Sequence, residues 1–253
     1  MSTMAQLRHQ ARYDLLTFLR NPATVFFTVG FPLIFLLIFT SIFGNEEFSP
    51  GVRLATFYVP GILALAVISA TLLNLAITMV TRRERGILKR VRGTPLSPLL
   101  FVLAQAVVAV IISLAMTALV VAIGRLLFDV ALISEGIGSL VITVLVGATA
   151  FSALGLAFTV IIPSESAAPA ITNAVILPLY FISDVFIQGD KPDALVFIAK
   201  LFPVQHLALA LQDSFDPLRT TVPWPWDHWL VMAAWGLFGG IIAVWKFRWT
   251  PSR

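Results

Sequence analysis

Cysteine is absent from this chain of 253 residues, and charged residues are scarce at 12%. Without cysteine there can be no disulfide, no thiolate nucleophile and no metal site built on sulfur ligands. A soluble domain carries about 25% charged residues, so a surface with this little charge suits lipid rather than water. The 58% hydrophobic content and the mean hydropathy of +0.94 therefore predict an integral membrane protein.

Enzyme motifs are missing as well. The histidines His9, His206 and His228 are too scattered for an H-E-x-x-H zinc site, and no G-x-S-x-G nucleophile elbow occurs. There is also no G-x-x-x-x-G-K-[ST] loop to cradle the phosphates of a nucleotide. We therefore expect a chain that is not an enzyme and holds neither a metal nor a cofactor of its own. Any energy from ATP would have to come through a partner.

What the sequence has instead is long apolar runs. Lipid offers no partner to backbone N–H and C=O groups, so a span must be a helix or part of a closed barrel. The runs lack the period-two alternation of barrel strands, which predicts an all-α integral membrane fold of one domain, 1–253. Six transmembrane helices are predicted, at about 23–44, 54–80, 99–124, 137–162, 169–187 and 229–247.

The placement of lysine and arginine fixes the orientation of these spans. With six crossings and the N-terminus inside, 12 of the 17 basic residues fall on the cytoplasmic side, as the positive-inside rule requires. A seventh span at 194–211 would move the basic C-terminus outside and the acid-rich stretch 213–227 inside. We therefore expect a multi-pass protein of the cell membrane with both termini in the cytoplasm. Because topology accounts for the net charge of +4, we expect no nucleic-acid partner.

Two flanking segments have the pattern of helices that lie at the membrane surface. In residues 1–22, Leu7, Ala11, Leu15 and Phe18 share one helical face, which predicts a cytoplasmic interfacial helix. In the outer region 188–228, we expect two short amphipathic or re-entrant helices, broken at Pro203 and preceding the last span.

Several uncharged polar residues lie at membrane depth. They either hydrogen-bond between helices or line a substrate path between protomers, and the sequence leaves both interpretations open. In the last span, Gly236 and Gly240 form a G-x-x-x-G pair that permits close helix approach. The candidate path residues are Asn74, Thr78, Gln105 and Asn173.

Asp184 is the charged residue closest to the interior of a span, near the outer end of the fifth. It is either a solvated helix end or the titrating group of an ion-coupled secondary transporter or channel. This alternative function stays open at the level of sequence.

The loop at 82–98 is the richest segment of the chain. Its six basic residues suit anionic lipid, at about 1 kcal/mol for each basic side chain near the surface. However, Ile87, Leu88 and Val91 recur at helical spacing, which predicts a short amphipathic helix outside the membrane. Such a helix is suited to a groove on another protein.

At this loop the sequence resembles the membrane subunits of ABC-2 type ABC exporters, the class that includes drug-resistance permeases similar to the daunorubicin exporters. The resemblance extends over essentially the whole chain. Its features are the amphipathic helix before Arg20-Asn21-Pro22, Pro32, Tyr58-Val59-Pro60-Gly61, Glu84-Arg85-Gly86 running to Thr94-Pro95-Leu96, and Pro203-x-x-His206 followed by Gln212.

The resemblance implies the permease subunit of an ATP-driven exporter for a hydrophobic or amphiphilic drug, lipid or glycolipid. It also implies two ABC ATP-binding subunits that hold ATP and Mg, a second permease copy or paralogue, and surrounding membrane lipid. The residues that would couple to the ATPase are Arg82, Arg83, Glu84, Arg85, Gly86, Leu88 and Arg92. Those of the outer re-entrant region are Pro203, His206 and Gln212.

Overall fold

The computed structural model describes residues 2–49, 52–94, 96–130, 136–186, 191–215, 224–247 and 249–250. Of the features singled out in the sequence, Pro95 and parts of the outer region 188–228 lie outside the described residues. So do Arg248 and Arg253, which contribute to the basic C-terminus.

Apart from one pair of short strands, the regular structure of the described residues is helical, so the all-α membrane fold is confirmed. Two π-helical turns, Phe26–Gly30 and Ser69–Leu73, continue the α-helices on either side of them. The elements are α1 (Thr3–Leu19), α2 (Pro22–Val25), α3 (Phe31–Phe43), β1 (Glu47–Ser49), β2 (Val52–Arg53), α4 (Ala55–Ile68), α5 (Asn74–Glu84), α6 (Ile87–Arg92), α7 (Pro98–Phe128), α8 (Gly136–Phe158), α9 (Ala168–Ile182), α10 (Asp193–Leu201), α11 (Pro203–Phe215) and α12 (Trp226–Lys246).

Among the described residues, five helices are long and apolar enough to cross a bilayer, and they coincide with five of the predicted spans. The second of them is the centre of the bundle, because 78% of its most apolar window is buried against 17% for the first and 22% for the last. The five are Pro22–Ile42, Ala55–Glu84, Pro98–Phe128, Gly136–Phe158 and Trp226–Lys246.

The predicted fifth span, 169–187, is shorter in the structure. Its helix α9 has 15 residues, about 22 Å at the usual rise, because the chain leaves helical geometry after Ile182. Asp184 adopts a left-handed backbone conformation with φ of 56°, which ends the helix.

Contacts at the two ends of the chain show that the number of crossings is even. Asp14, ahead of the first span, bonds Arg82 at the end of the second, and Trp249, beyond the last span, lies over Arg92. Both terminal segments are therefore on one side of the membrane. Since the long helices number five among the described residues, one more crossing is needed between α8 and α12.

Helix α9 supplies that crossing. Glu165, just before it, pairs with Arg85 on the side of the termini. Asp184, just after it, is bonded by Gln205 of α11, whose neighbour His206 contacts His228 at the opposite end of the bundle. α9 thus runs from one face to the other, and α10 and α11 lie toward the end of the bundle opposite the termini.

Helices α10 and α11 meet at an angle of 95°. The break falls at Phe202 and Pro203, because proline lacks the N–H that would continue α10 and fits the first turn of α11. The predicted break at Pro203 is confirmed.

Helices α8 and α12 pack closely through Gly236 and Gly239 of α12. A Cβ on Gly236 would lie 2.9 Å from Ala150 Cα, and one on Gly239 would lie 3.0 Å from the Leu154 nitrogen. Gly240 faces open space within this chain, so of the G-x-x-x-G pair Gly236 alone takes part in this contact. The helical periodicity places residues three apart, as well as four apart, on one face.

Candidate coupling site

Helix α5 ends in a group of arginines at the face where both chain termini lie. Arg82 and Arg83 are in the last turn, where the exposed carbonyls of a helix end favour positive charge. Arg85 follows as the cap residue, and the arginines then contact three different parts of the chain.

Arg82 joins the N-terminal helix. Its guanidinium donates to Asp14 Oδ1 at 2.9 Å, and the side chains of the pair are only 10% and 1% exposed. Gln10 Nε2 donates to the other oxygen of Asp14, also at 2.9 Å. Arg82 additionally lies 5.4 Å from the ring centroid of Phe101 on α7, within cation–π range. The amphipathic helix α1 is therefore tied to the end of α5.

Arg83 caps the end of α8. It donates to the carbonyl oxygens of Thr159 at 2.9 Å and Ile162 at 2.7 Å, and to Glu84 Oε1 at 2.8 Å. Both carbonyls lie in the segment that follows Phe158, the last residue of α8, so the buried guanidinium bonds the chain where it leaves the helix. Arg83 thus ties the fourth span to the second.

Arg85 reaches the loop that leads into α9. It forms two hydrogen bonds with Glu165, at 2.6 and 3.2 Å, and both side chains are exposed. The bond from Arg85 lowers the pKa of the Glu165 carboxyl and raises the pKa of the guanidinium.

Gly86 turns the chain into α6. It has φ of 70°, in the left-handed region that glycine enters without steric cost, and a Cβ there would touch nothing. The turn sets α6 against the ends of the spans.

Helix α6 packs against the bundle through its residue Leu88. This side chain is fully buried with Leu75, Met79 and Phe101, so it packs inside its own chain rather than presenting an outward face. Ile87, by contrast, is 37% exposed. The outward surface of this site, termed the α6 surface below, consists of Arg85, Ile87, Lys89, Arg90 and Arg92.

Arg92 contacts the C-terminal segment, which the sequence did not single out as part of this site. Its guanidinium lies 5.5 Å from the ring centroid of Trp249, which itself stacks edge-on against Phe247. The N-terminal helix, two spans, a loop and the C-terminal segment therefore converge on α5 and α6.

A comparison with known families decides the identity. The ABC-2 type transporter family matches residues 5–215. The chain belongs to this family. The daunorubicin resistance ABC transporter permease protein DrrB1 of Streptomyces coeruleorubidus is similar to it, with 28% identity over 253 residues, covering 95% of this chain and 82% of that protein.

As an ABC-2 permease the chain is a multi-pass membrane protein and a transport subunit rather than an enzyme. Family membership implies that it works with an ABC ATP-binding subunit.

The candidate path residues of the permease do not form one connected group. Thr78 Oγ1 donates to Asn74 Oδ1 at 3.3 Å, one turn apart on α5, and both are half-buried. Gln105 is buried on α7, and its Nε2 has no hydrogen-bond partner among the described residues. Asn173 is exposed on α9. Of the four, hydrogen bonds within the described parts of the chain join only Asn74 and Thr78.

The outer residues of the permease gather around Asp184. Its Oδ1 pairs with Lys191 Nζ at 2.6 Å, and its Oδ2 accepts from Gln205 Nε2 at 2.6 Å. Gln212 Nε2, singled out from the sequence, donates to the main-chain oxygen of Asp184 at 3.2 Å. The backbone of Val185, next to Asp184, packs directly against Gly61 of α4. A Cβ on Gly61 would lie only 2.0 Å from the Val185 carbonyl oxygen.

The predicted residues Pro203 and His206 lie at the start of α11. His206 Nδ1 is 2.9 Å from His228 Nδ1, and His206 Nε2 is 3.0 Å from the Lys200 carbonyl oxygen. His206 thus connects the bent helix pair to the first turn of α12. Trp229 joins α12 to α8 nearby, by donating to Thr143 Oγ1 at 2.9 Å.

Proposed function

We propose that this permease is the membrane subunit of an ATP-driven exporter that moves a hydrophobic or amphiphilic compound out of the cytoplasm or the inner leaflet. Drugs, lipids and glycolipids are the compounds of this class. The observation that carries the proposal is that the three arginines just before α6 bond to three separate parts of the bundle: Asp14, the turn after α8 and Glu165.

In this proposal two ABC ATP-binding subunits bind ATP and Mg and close on each other. Their closure pushes on the α6 surface at the cytoplasmic face. Arg82 carries the movement to α1, and Arg83 carries it to α8, because buried charge-assisted hydrogen bonds resist stretching more than apolar contacts do. The spans then tilt as linked bodies and not one by one.

The chemistry of the α6 surface supports a protein partner. Ile87 offers an exposed apolar side chain, and Lys89 and Arg90 flank it with positive charge. A groove with an apolar floor and an acidic rim on the ATP-binding subunit would complement it.

The proposed function also requires a second permease subunit and a defined orientation in the membrane. A second copy of the permease, or a paralogue, would complete the path, with Asn74, Thr78, Gln105 and Asn173 as its candidate lining. The basic α6 surface lies on the same side as both termini, and by the positive-inside rule this supports a cell-membrane protein whose termini are in the cytoplasm.

The alternative of an ion-coupled transporter gains no support from Asp184. Both of its carboxylate oxygens are bonded, one to Lys191 and one to Gln205, which favours a structural or binding role over proton exchange.

Reconstitution tests the two functions against each other. The permease and its ATP-binding partner are placed in proteoliposomes, and movement of labelled hydrophobic compounds is measured with ATP or a non-hydrolysable analogue. We expect transport with ATP alone, unaffected by a proton ionophore. Transport that continues without ATP and stops with the ionophore would overturn the proposal and favour the ion-coupled alternative.

A further inference from the structure

The outer end of α9 forms a site for an ammonium group, and a lysine of the same chain occupies it. Lys191 Nζ donates to Asp184 Oδ1 at 2.6 Å and to the carbonyl oxygen of Ile182 at 3.1 Å. An ammonium group has three donors, and these contacts use two of them.

Local structure explains why a cation binds here. Ile182 is the last residue of α9, so its carbonyl has no partner within the helix and lies at the negative end of the helix dipole. The left-handed conformation of Asp184 brings a full negative charge back beside that carbonyl. The two acceptors therefore converge on one point.

Gln205 adds an unused acceptor. Its Nε2 donates to Asp184 Oδ2 at 2.6 Å, so the amide lies against the carboxylate. Its Oε1, on the same amide carbon, is buried without a hydrogen-bond partner in the described residues, and Gln205 as a whole is 4% exposed. A buried acceptor without a donor costs free energy until a donor reaches it.

Ser183, the cap residue of α9, also has a buried polar atom without a hydrogen-bond partner among the described residues. Its side chain is fully buried, and its Oγ has no hydrogen-bond partner within the described residues. Two buried polar atoms, Ser183 Oγ and Gln205 Oε1, therefore belong to residues that adjoin or bond Asp184 and lack partners among the described residues.

We propose that this cluster, formed by Ile182, Ser183, Asp184 and Gln205, binds the protonated amine of exported amphiphiles, and that the Lys191 ammonium occupies it when no cargo is present. The proposal rests on the proposed function and names a substrate class for it: amphiphiles that carry an ammonium group. The cluster is termed the ammonium site below.

Exchange of one ammonium for another avoids the main cost of opening a buried ion pair. Removing one partner leaves an uncompensated charge, whereas a cargo amine that replaces Lys191 keeps Asp184 paired. The Lys191 and Asp184 side chains are 11% and 19% exposed, so the pair is covered but still reached from outside. The released lysine returns to water on its flexible stem.

The site is positioned to act at the release end of the path. Gln205 and Gln212 fix Asp184 to α11, the second helix of the bent pair, on the outer face. Competition by Lys191 would then eject the bound amine outward.

Binding measurements test the site without ATP or the ATP-binding partner. The full permease in phosphatidylcholine nanodiscs is titrated with a dansyl-labelled alkyl ammonium and with its N-acetylated neutral twin, and binding to empty nanodiscs is subtracted. We expect the wild-type chain to bind the ammonium probe about tenfold more tightly, as the loss of one charge-assisted hydrogen bond implies.

Variants of Asp184 and Lys191 distinguish ammonium binding from a purely structural role of the ion pair. Asp184→Asn should remove the preference, and Lys191→Met should increase it several-fold, because the internal competitor is gone. Asp184→Asn combined with Lys191→Met leaves no unpaired charge and should bind both probes equally. Asp129→Asn is the matched control, since it removes an exposed outer carboxylate 4.0 Å from Arg53 and should leave the preference unchanged. Thermal unfolding of each variant checks that it is folded.

The outcomes that overturn the ammonium site are distinct from those that overturn the proposed function. A wild-type chain that binds both probes equally, or variants that shift both affinities by the same factor, would show that the ion pair is structural only. ATP-driven export that persists alongside that result would leave the proposed function intact. Preferential ammonium binding without any ATP-dependent movement would overturn the proposed function and leave the site.

Discussion

Asp14 and Arg82 form a buried ion pair at 2.9 Å that spans 68 positions in sequence. Asp14 is the first acidic residue of the chain and the next is Glu46, so the N-terminal helix α1 carries its one carboxylate at this contact. The pair makes α1 part of the candidate coupling site.

Asp14→Asn is expected to destabilise the permease by about 3 kcal/mol, because it leaves the Arg82 charge buried without its partner. Chemical unfolding in detergent measures the change. Asp14→Leu combined with Arg82→Met should recover most of the stability, since no uncompensated charge remains. A single variant as stable as the wild-type chain would contradict the role given to this pair.

The exposed pair Arg85 and Glu165 should respond to pH in a defined direction. Because Arg85 lowers the pKa of Glu165 below its ordinary value of 4.5, folding gains from the pair at any pH above that value. The gain is lost as pH falls through the lowered pKa. Glu165→Gln should therefore be slightly less stable than the wild-type chain at pH 7 and equal to it in strong acid. Parallel unfolding curves from pH 7 to 3 check this, and a gap that widens on acidification would refute it.

Gly86→Ala is expected to cost about 1 to 2 kcal/mol from backbone strain alone, since no neighbouring atom blocks the added methyl group. It should also misdirect α6 and lower stimulation of the ATPase by the permease. Gly93→Ala is the matched control, because Gly93 has φ of −85°, which alanine adopts readily. Equal ATPase stimulation by the two variants would show that the turn at Gly86 does not matter for coupling.

Ile87 and Leu88 are neighbours with opposite expected effects. Ile87→Asp should leave stability nearly unchanged and weaken binding of the ATP-binding subunit, because this side chain is exposed on the α6 surface. Leu88→Ala should instead lower stability by about 2 to 5 kcal/mol through a cavity in the core. Pull-down of the partner and thermal unfolding, done on both variants, separate these effects. A loss of partner binding confined to Leu88→Ala would contradict the assigned surface.

Gly236 and Gly240 provide a matched pair for the packing of α8 against α12. Gly236→Ala places a methyl group 2.9 Å from Ala150 Cα and should force the helices apart, with a cost of about 1 to 3 kcal/mol. Gly240→Ala meets open space and should be neutral. Unfolding in detergent compares the two, and equal destabilisation would show that Gly240 also packs.

Sequence reasoning singled out the segment around α6, including Arg85 and Arg92 of the α6 surface, but not the internal contacts behind it. The run of arginines and the amphipathic spacing were visible, and Arg85 and Ile87 are indeed exposed. The burial of Arg82, Arg83 and Leu88 was not visible, because an arginine at a helix end has the same local signature whether it faces water or a neighbouring helix. The one feature of the sequence that could have pointed to the contact of Asp14 is that it is the single acidic residue of α1.

In the outer region, too, local features could be predicted from the sequence and contacts between helices could not. The proline at 203 predicted the bend, since the missing N–H is a local property. Gln212 was singled out only by resemblance, and Gln205 not at all. Their common contact, Asp184, was considered alone, because sequence cannot tell which side chains a bent helix pair brings to the end of another helix.

By itself the sequence determined that the chain is a helical membrane protein, and it predicted six crossings with both termini in the cytoplasm. Hydropathy and charge act on each segment separately, so they can be read along the chain. Only the tertiary structure decided that Asp14 meets Arg82, that Gly236 and Gly239 pack against α8 and that Lys191 occupies an acceptor cluster at α9. These contacts depend on which helices are neighbours and on the rotation of each helix about its axis. Packing of the whole bundle sets both, and no local pattern records them.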